Sequence, residues 1–358
     1  MTGASNLSRD ATPSECGITE ASLVIIKALR EQIPDLQPSS PLHIRFDDAY
    51  LNRFVIARKY QLDEVLIMVL NHLEWFKNLH VADIMNFRYT ELEQFRTVYP
   101  HGYHGVDKLG RPLYIERYCK LNADYLHQIT TLERISQYWI QGYEKLMYER
   151  FPLCPTSGSK SCVILDMANV KLGMFDSRAR EFMKTVSKIS SDNYPETLGI
   201  LFVVNVPSFF SVLYSVAKPL IPAETKKKIH VVNAKHVKEE LLKYIDADQL
   251  PFFLGGNCKC NLLPLSGDFG CLCSDKGPWK QNRRGSADHE DFVSCHDGEM
   301  TDLRSFKTAE FGEGTSPHHA HGLSETIDEE LDPNTVKNRT KSKRRFGWFA
   351  CCARPDTH

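Results

Sequence analysis

The sequence lacks the short motifs that mark the commonest enzyme sites. It has no phosphate-binding loop of the form G-x-x-x-x-G-K-[ST], no metal-binding H-E-x-x-H and no nucleophile elbow G-x-S-x-G. His101 and His104 lie near Asp107 and could indicate a metal site or a general base, but a structural role is favoured. We therefore expect a protein that is not an enzyme and that has no cofactor.

Targeting signals are also missing from the start of the chain. MTGASNLSRDATPSECG contains no apolar run of a secretory signal, and Asn6 stands where a myristoylation signal needs Ser or Thr. These absences predict a cytosolic protein whose eleven cysteines are mostly reduced. Cys258, Cys260, Cys271 and Cys273 form two C-x-C pairs, which are narrower than the pairs of most zinc sites. Reduced structural cysteines are favoured, with a metal site as the alternative.

The chain has almost no net charge, but its charges are segregated. The formal net charge is −1, whereas residues 286–334 hold thirteen acidic residues and two basic ones. Residues 337–345 reverse this balance with six basic residues in nine. From Lys276 onward the composition is typical of disorder. We predict an acidic disordered linker at 275–336 and a basic, aromatic tail with paired cysteines at 337–358, and we expect no nucleic-acid partner.

The longest apolar segment has no charge, but it is interrupted. Residues 197–217, TLGILFVVNVPSFFSVLYSVA, are uncharged over twenty-one positions, close to the roughly 20 residues that span a bilayer. Asn205, Pro207 and Ser208 lie in the middle, and Pro207 removes a backbone donor that a spanning helix needs. The preceding residues favour a strand, and Ser208 can cap a helix after it. We predict a buried strand followed by an apolar helix, with a membrane span as the alternative.

Helical periodicity dominates the first hundred residues. A short helix is predicted at ITEASLVIIKALREQI within a polar N-terminal tail, 1–40. Helices follow in DDAYLNRFVIARKY, capped by Asp47 and Asp48, in LDEVLIMVLNHLEWFKNL and in TELEQFRTVY. Because none of these helices is long enough to fold alone, we expect them to pack as a helical module over 41–98.

Strand and helix signals alternate from residue 99. YHGVDKLGRPLYIERY predicts a hairpin, and SCVILDM, LGILFVVNV and KIHVVN predict buried strands separated by helices. This alternation predicts an α/β domain over 99–274 with a largely parallel sheet. The uncharged segment, bordered by Glu196 on one side and by Thr225 and Lys228 on the other, suits a lipid pocket with a polar end. Taken alone, the basic border is more simply a solvated turn before a strand.

Eight blocks along the chain, taken in order, match a known family. They are RFVIARKYQLDEV, HGVDKLGRPLYIER, SCVILDM, DNYPETLG, NVPSFFSVLYSVAKPLIP, KKKIHVV, ELLKYIDADQLPFFLGG and GCLCSDKGPW. They resemble the CRAL-TRIO family, in its phosphatidylinositol/phosphatidylcholine transfer branch and nearest to plant and algal members. The resemblance implies a CRAL-TRIO α/β fold, with a small N-terminal helical module and a mixed sheet whose helices form a hydrophobic pocket. It also implies a mobile gate helix after NVP, with Phe209, Phe210, Val212, Leu213 and Val216.

The resemblance further implies a headgroup site for phosphatidylinositol. Members of that branch hold the inositol phosphate with an Arg, a Glu, a Thr and a Lys, which the matching motifs place at Arg58, Glu196, Thr225 and Lys228. Lys228 and Arg58 can neutralise the phosphodiester, Thr225 can donate to a phosphate oxygen, and Glu196 can accept from inositol hydroxyls. Taken singly, Arg58 would be a salt-bridge residue at a helix end and Glu196 a surface carboxylate.

A second headgroup site, for phosphatidylcholine, is implied less completely. The matching residues are Tyr103, Tyr114 and Ser161, and aromatic faces suit a quaternary ammonium. Val163 stands where the family has a threonine, which removes a hydroxyl donor worth about 1 kcal/mol or more. The identity of the second lipid therefore stays open, and the tyrosines as ordinary core aromatics are the alternative.

The tail KNRTKSKRRFGWFACCAR predicts attachment to an anionic membrane surface. Its basic residues attract anionic lipid, its aromatic residues suit the interface, and its paired cysteines suit S-acylation; the set is Lys343, Arg344, Arg345, Trp348, Cys351 and Cys352. A nuclear-localisation run is the alternative. We expect a monomer, peripheral on a cytosolic membrane face (Golgi or plasma membrane), that binds and transfers phospholipid, with a phosphoinositide kinase as a candidate partner. The rival function is a membrane-tethered, lipid-sensing adaptor that transfers no lipid.

Overall fold

A computed structural model describes residues 17–119, 121–174, 176–210, 214, 223–260 and 270–281. The α-helices in these ranges are α1 (Glu20–Gln32), α2 (Asp48–Ala57), α3 (Leu62–Asn78), α4 (Leu92–Val98), α5 (Ala123–Ile129), α6 (Leu132–Lys145), α7 (Ser177–Asn193), α8 (Ala223–Lys228), α9 (Val237–Tyr244), α10 (Gly270–Cys273) and α11 (Pro278–Gln281). The strands are β1 (His101–Val106), β2 (Pro112–Arg117), β3 (Ser161–Asp166), β4 (Leu198–Val204) and β5 (Ile229–Val232). A π-helical turn, Leu146–Arg150, continues α6.

Helices α1, α2 and α3 form one apolar cluster ahead of the sheet. Helix α2 begins where predicted because the Asp47 carboxylate accepts a hydrogen bond from the Tyr50 amide at 2.7 Å. Helix α1 buries Leu29 in the same cluster as the other two helices. The cluster extends to buried side chains on α6, α7 and the residue after α7, namely Ile140, Ile189 and Tyr194. The helical module therefore packs directly on helices that cover the sheet.

One five-stranded sheet, in the order β1-β2-β3-β4-β5, forms the centre of the α/β part. Strands β1 and β2 form the predicted antiparallel hairpin, and β2, β3, β4 and β5 run parallel. The hairpin turn ends at Gly110, whose φ of 76° favours glycine. Asp107 closes this turn by accepting hydrogen bonds from the Leu109 and Arg111 amides. The predicted α/β class is confirmed, with a sheet that is mixed because of β1.

Strand alternation gives the sheet two different faces. One face is buried beneath α9 and α10, whose Leu241 and Leu272 belong to the same cluster as the side chains of that face: Leu113, Ile115, Cys162, Ile164 and Phe202. The opposite face lies among aromatic residues of α4, α6 and α7, which include Phe95, Trp139 and Phe182. Several apolar side chains on this second face are only half-buried, and this face carries the candidate site.

The uncharged segment forms strand β4 and the start of a helix. After Val204 the backbone turns at Asn205, whose φ is 54° and whose side-chain Nδ2 donates to Asp166 Oδ1 at 2.7 Å. We predicted Ser208 as the N-cap residue of the following helix. The helix begins at Ser208 itself, so Pro207 occupies the N-cap position. Proline fits there because a helix start leaves amides unpaired in any case. Among the described residues, no helix combines the length and the apolar character that a bilayer span requires.

A buried histidine joins the helical module to α7. His72 Nε2 lies 3.0 Å from the Tyr50 hydroxyl and His72 Nδ1 lies 3.1 Å from Asn193 Oδ1. The side chain is 2% exposed. Burial lowers the pKa of His72 to about 4, although the hydrogen bond to Asn193 favours the charged form. The neutral imidazole is therefore the form that the folded protein stabilises.

We expect His72 to make the protein less stable at acid pH. Its pKa rises from about 4 in the folded state to the usual value near 6.5 on unfolding, so its stabilising effect is complete above pH 6.5 and is lost as the pH falls toward 4. The measurement is urea unfolding of the wild type and of His72→Gln at pH 7 and at pH 4.5. Between these two pH values, the unfolding free energy of the variant should fall by about 2 to 3 kcal/mol less than that of the wild type. His236→Gln, at an exposed histidine, is the control and should follow the wild type. Equal losses in wild type and His72→Gln would contradict the assignment.

Candidate functional site

Three charged side chains meet at the edge where the parallel strands begin. Lys160 directly precedes β3, Glu196 lies two residues before β4, and Lys228 directly precedes β5. Glu196 Oε2 lies 2.9 Å from Lys160 Nζ and 3.4 Å from Lys228 Nζ. Because β3, β4 and β5 are parallel neighbours, residues that precede them are brought to one edge of the sheet. We call Lys160, Glu196 and Lys228 the strand-edge triad.

The electrostatics of the triad favour an ionised carboxylate between two ammonium groups. Burial by itself would raise the pKa of Glu196, but the nearby Lys160 and Lys228 lower it below the usual value overall. Glu196 and Lys228 are each 24% exposed and Lys160 is 35% exposed, so all three groups remain reachable from solvent. Glu196 also has a φ of 57°, a left-handed conformation that is costly for a non-glycine residue and is frequent at functional sites. The triad can accept hydrogen bonds through the Glu196 carboxylate and can bind an anion through the ammonium groups of Lys160 and Lys228.

Helix α2 approaches the same edge from the helical module. The Arg53 guanidinium donates to the Glu196 carbonyl at 2.9 Å and to the Ser159 carbonyl at 2.7 Å. Arg58, which we predicted for the headgroup, ends the same helix and is half-buried. Thr225 lies within α8, but its side chain is outside the described residues. The structure thus brings Glu196 and Lys228 into contact, and among the described residues Arg58 forms no recorded hydrogen bond or ion pair with either of them.

Sequence reasoning missed two residues at this edge, Lys160 and Arg53. A usable signal for Lys160 was available, since it stands immediately before a predicted parallel strand, as Lys228 does. No comparable signal marked Arg53, because its role is to contact two backbone carbonyls of distant segments.

An apolar row crosses the half-buried face of the sheet and ends one residue after Lys228. Strand pairing aligns Tyr103 with Tyr114, Tyr114 with Val163, Val163 with Leu201 and Leu201 with Ile229. The two tyrosine rings lie 4.9 Å apart between centroids. Val163 therefore sits in the middle of this row, next to Tyr114. A row of this composition can contact acyl chains, with polar groups at its tyrosine end.

Tyr103 has a cationic neighbour that the sequence did not reveal. The Arg150 guanidinium carbon lies 4.2 Å from the centroid of the Tyr103 ring and 5.6 Å from that of Trp279. Arg150 pairs with Asp275 at 3.0 Å, whereas its Nε and one terminal nitrogen are buried without a hydrogen-bond partner among the described residues. One face of Tyr103 is thus already occupied by a cation. Unsatisfied guanidinium donors favour an anionic group such as a phosphate at this position.

Ser161, the third predicted residue of the second headgroup site, uses its hydroxyl within the protein. Its Oγ donates to the Thr197 carbonyl at 3.0 Å, and the side chain is buried. The same face also carries Glu116, a buried carboxyl that accepts from the Tyr99 hydroxyl at 2.5 Å and from the Tyr118 hydroxyl at 2.8 Å. Burial raises the pKa of Glu116, against the effect of these hydrogen bonds. The sequence did not point to this acidic group.

The predicted gate helix is described only at its start. Phe210 is buried in the aromatic cluster of α4, α6 and α7, and its ring stacks on that of Tyr214 with 6.2 Å between centroids. Phe209 packs at the border of the same cluster. Val212, Leu213 and Val216 lie outside the described residues, as does the whole predicted tail with Lys343, Arg344, Arg345, Trp348, Cys351 and Cys352.

Comparisons with known proteins give one family match and several relatives. The CRAL/TRIO domain matches residues 96–256. The chain is 41% identical over 235 residues to phosphatidylinositol/phosphatidylcholine transfer protein SFH4 of Arabidopsis thaliana, an alignment that covers 64% of this chain and 38% of that protein. It is 38% identical over 244 residues to the Sec14 cytosolic factor of Schizosaccharomyces pombe, which covers 67% of this chain and 82% of that protein.

A solved structure supports the fold. The crystal structure of Sfh5 matches with a TM-score of 0.52 and 18% sequence identity, and the match covers 70% of this chain and 95% of that one. The chain spans about two fifths to one half of the length of the first three plant relatives that it matches.

We expect Trp279 to anchor the segment after α10 to the tyrosine end of the sheet. Its side chain is 3% exposed, packs edge-on against Tyr103, and donates to Asp275 Oδ1 at 2.9 Å. Trp279→Ala should lower the free energy of unfolding by about 3 kcal/mol or more, measured by urea denaturation. Phe252→Ala, at an aromatic residue that is 62% exposed, is the control and should cost less than about 0.5 kcal/mol. Similar losses in both variants would contradict the anchoring role.

Proposed function

The chain belongs to the CRAL/TRIO family, and we propose that it binds a phospholipid and transfers or presents it between membranes, with phosphatidylinositol as the favoured ligand. The observation that carries the proposal is the strand-edge triad beside a half-buried apolar row on the sheet. The names of the relatives, phosphatidylinositol/phosphatidylcholine transfer proteins, support the same ligand class.

The triad suggests how an inositol phosphate would be held. Lys160 and Lys228, which now share the Glu196 carboxylate, would turn toward the phosphodiester. Glu196 would then accept hydrogen bonds from inositol hydroxyls, while Arg58 and Thr225 complete the contacts that the sequence predicts. Because the lysines keep a counterion when no lipid is present, the free protein avoids the cost of two unpaired, partly buried cations.

A second phospholipid would place its headgroup at the tyrosine end of the row. Arg150 would take the phosphate through its unpartnered donors, which offsets the hydroxyl that Val163 removes. A choline group would have to rest on Tyr114 or on the remaining face of Tyr103, since Arg150 covers the other face. Phosphatidylcholine is the second ligand that we propose.

The activity that we propose is binding and transport rather than catalysis. The protein would act as a monomer at a cytosolic membrane face, either of the Golgi or of the plasma membrane. A phosphoinositide kinase would receive the lipid. The predicted tail, with its basic residues and Cys351 and Cys352, would keep the protein at an anionic surface. A membrane-tethered adaptor would bind lipid in the same site without transferring it, so a vesicle assay distinguishes the two functions.

Removal of a triad residue should slow phosphatidylinositol transfer selectively. Lys228→Ala, Lys160→Ala and Glu196→Ala should each reduce the rate of phosphatidylinositol transfer between vesicles by about ten- to a hundred-fold, because a charge-assisted hydrogen bond is worth about 1.5 to 3 kcal/mol. The readout is the transfer of labelled phosphatidylinositol, with labelled phosphatidylcholine measured in parallel.

Two controls make this experiment decisive. Lys227→Ala removes an equal charge from an exposed neighbour in α8 and should leave both activities unchanged. Phosphatidylcholine transfer should persist in the triad variants, which shows that they remain folded. Unchanged phosphatidylinositol transfer in Lys228→Ala and Glu196→Ala would refute the headgroup assignment, and tight lipid binding without any transfer by the wild type would favour the adaptor.

The tail should control membrane attachment through its paired cysteines. A Cys351→Ser/Cys352→Ser variant should lose stable membrane association, because one electrostatic signal without acyl chains gives only reversible binding. Fluorescent-tag localisation measures the effect, and Cys295→Ser provides a matched control from the acidic region. If the double variant stays on membranes as the wild type does, acylation is not the anchor.

A further inference from the structure

Three cysteines and a histidine from separate parts of the chain meet on the side of the sheet away from the tyrosine row. His104 belongs to β1, Cys258 and Cys260 follow α9, and Cys271 lies in α10. One ligand atom from each residue, a ring nitrogen or a thiol sulfur, lies within 4.8 Å of the corresponding atom of every other. His104 and Cys271 are buried, and the other two are half-buried.

Two of the separations are close to those of ligands around one metal ion. Cys258 Sγ lies 3.6 Å from Cys260 Sγ, and Cys260 Sγ lies 3.9 Å from His104 Nδ1. In a tetrahedral zinc site, with Zn–S of about 2.3 Å and Zn–N of about 2.0 Å, the ligand atoms are about 3.5 to 3.8 Å apart. A disulfide would bring two sulfurs to about 2.05 Å, and these cysteines are free thiols.

Backbone contacts hold these segments in place independently of any metal. A Cβ on Gly102 would lie 2.0 Å from the Leu272 carbonyl oxygen, so glycine in β1 is what lets α10 lie against the strand. The Phe252 amide donates to the Cys258 carbonyl at 2.8 Å, and the Gly105 amide donates to the Lys276 carbonyl at 2.6 Å. The ligands are therefore brought together by the fold, as a metal site with a preorganised geometry requires.

One neighbouring group suits a metal-bound state. Ser274 Oγ lies 3.0 Å from His104 Nδ1 and donates to the Cys271 carbonyl at 2.7 Å, so binding of a metal at Nδ1 would replace the contact with Ser274. Lys276 Nζ lies 3.5 Å from Cys258 Sγ. Three thiolates around a divalent ion leave one negative charge, and this ammonium group offsets it.

We propose that His104, Cys258, Cys260 and Cys271 form a structural zinc site that fastens the segments after α9 to strand β1. Three thiolates and one imidazole are a closed set of four ligands, which is the pattern of structural zinc and leaves no open position for catalysis. The ligand types favour zinc over the hard cations Mg²⁺ and Ca²⁺. The site differs from the sequence-based expectation of metal-free structural cysteines, and Cys273, the fourth cysteine of the sequence pattern, is outside it.

Metal content tests the proposal directly. The full chain, expressed without a histidine tag and purified under reducing conditions, should contain about one zinc ion per molecule by plasma mass spectrometry. Cys260→Ser and Cys271→Ser should lose this zinc. Cys273→Ser, which removes a neighbouring cysteine outside the cluster, is the matched control and should keep it.

Two further measurements keep the test decisive if a variant folds poorly. Co²⁺ added to the metal-free wild type should give the intense visible bands of a tetrahedral thiolate site, and these bands need no variant. A zinc chelator should lower the melting temperature of the wild type and of Cys273→Ser, but should not change that of Cys271→Ser. A wild-type chain that binds neither zinc nor Co²⁺ would overturn the proposal, as would equal loss of zinc in Cys273→Ser, which would place the metal elsewhere.

Discussion

The alignment of the five strands is the constraint on which both proposed sites depend. Neighbouring residues of a strand point to opposite faces, so Tyr103 joins the apolar row while His104 joins the cysteines. A shift of one residue in the pairing of β1 would exchange these two side chains. The hairpin turn, closed by Asp107 and Gly110, places Val106 opposite Pro112, and the register then shifts by one residue before Tyr103 pairs with Tyr114. The turn and this irregularity in β1 together determine which side chains each face of the sheet presents.

Parallel topology has a second consequence, at the edge of the sheet. Three charged residues that are far apart in sequence, Lys160, Glu196 and Lys228, become neighbours only because the strands that follow them are adjacent and parallel. The helical module adds Arg53, which holds the Glu196 backbone by its carbonyl. The left-handed conformation of Glu196 is thus supported from outside its own segment, as a residue in a costly conformation requires.

Two carboxyl groups of the α/β part, Glu196 and Glu116, are shifted in opposite directions by their surroundings. At the strand edge, partly exposed lysines lower the pKa of Glu196, so that this carboxyl stays ionised. On the face that carries the tyrosine row, burial raises the pKa of Glu116. The hydroxyls of Tyr99 and Tyr118 donate hydrogen bonds to its carboxyl group. The first group is suited to exchange partners with a ligand, and the second to hold the aromatic cluster together. Arg150 lies between these cases, since it is buried and paired with Asp275 but keeps donors without partners in the described part of the chain.

The sequence by itself determined the order and type of the main elements, because periodicity, caps and turn residues are local properties. It correctly indicated α2 from Asp47, the hairpin around Gly110 and strand β4 within the uncharged segment. It also gave two triad members, Glu196 and Lys228, through motifs that resemble a family. Only the tertiary structure decided that Lys160 completes the triad, that Arg150 covers one face of Tyr103, and that His104 rather than Cys273 joins the other cysteines. Each of these contacts joins segments that are distant along the chain, and such contacts follow from strand pairing and packing, which local sequence patterns do not encode.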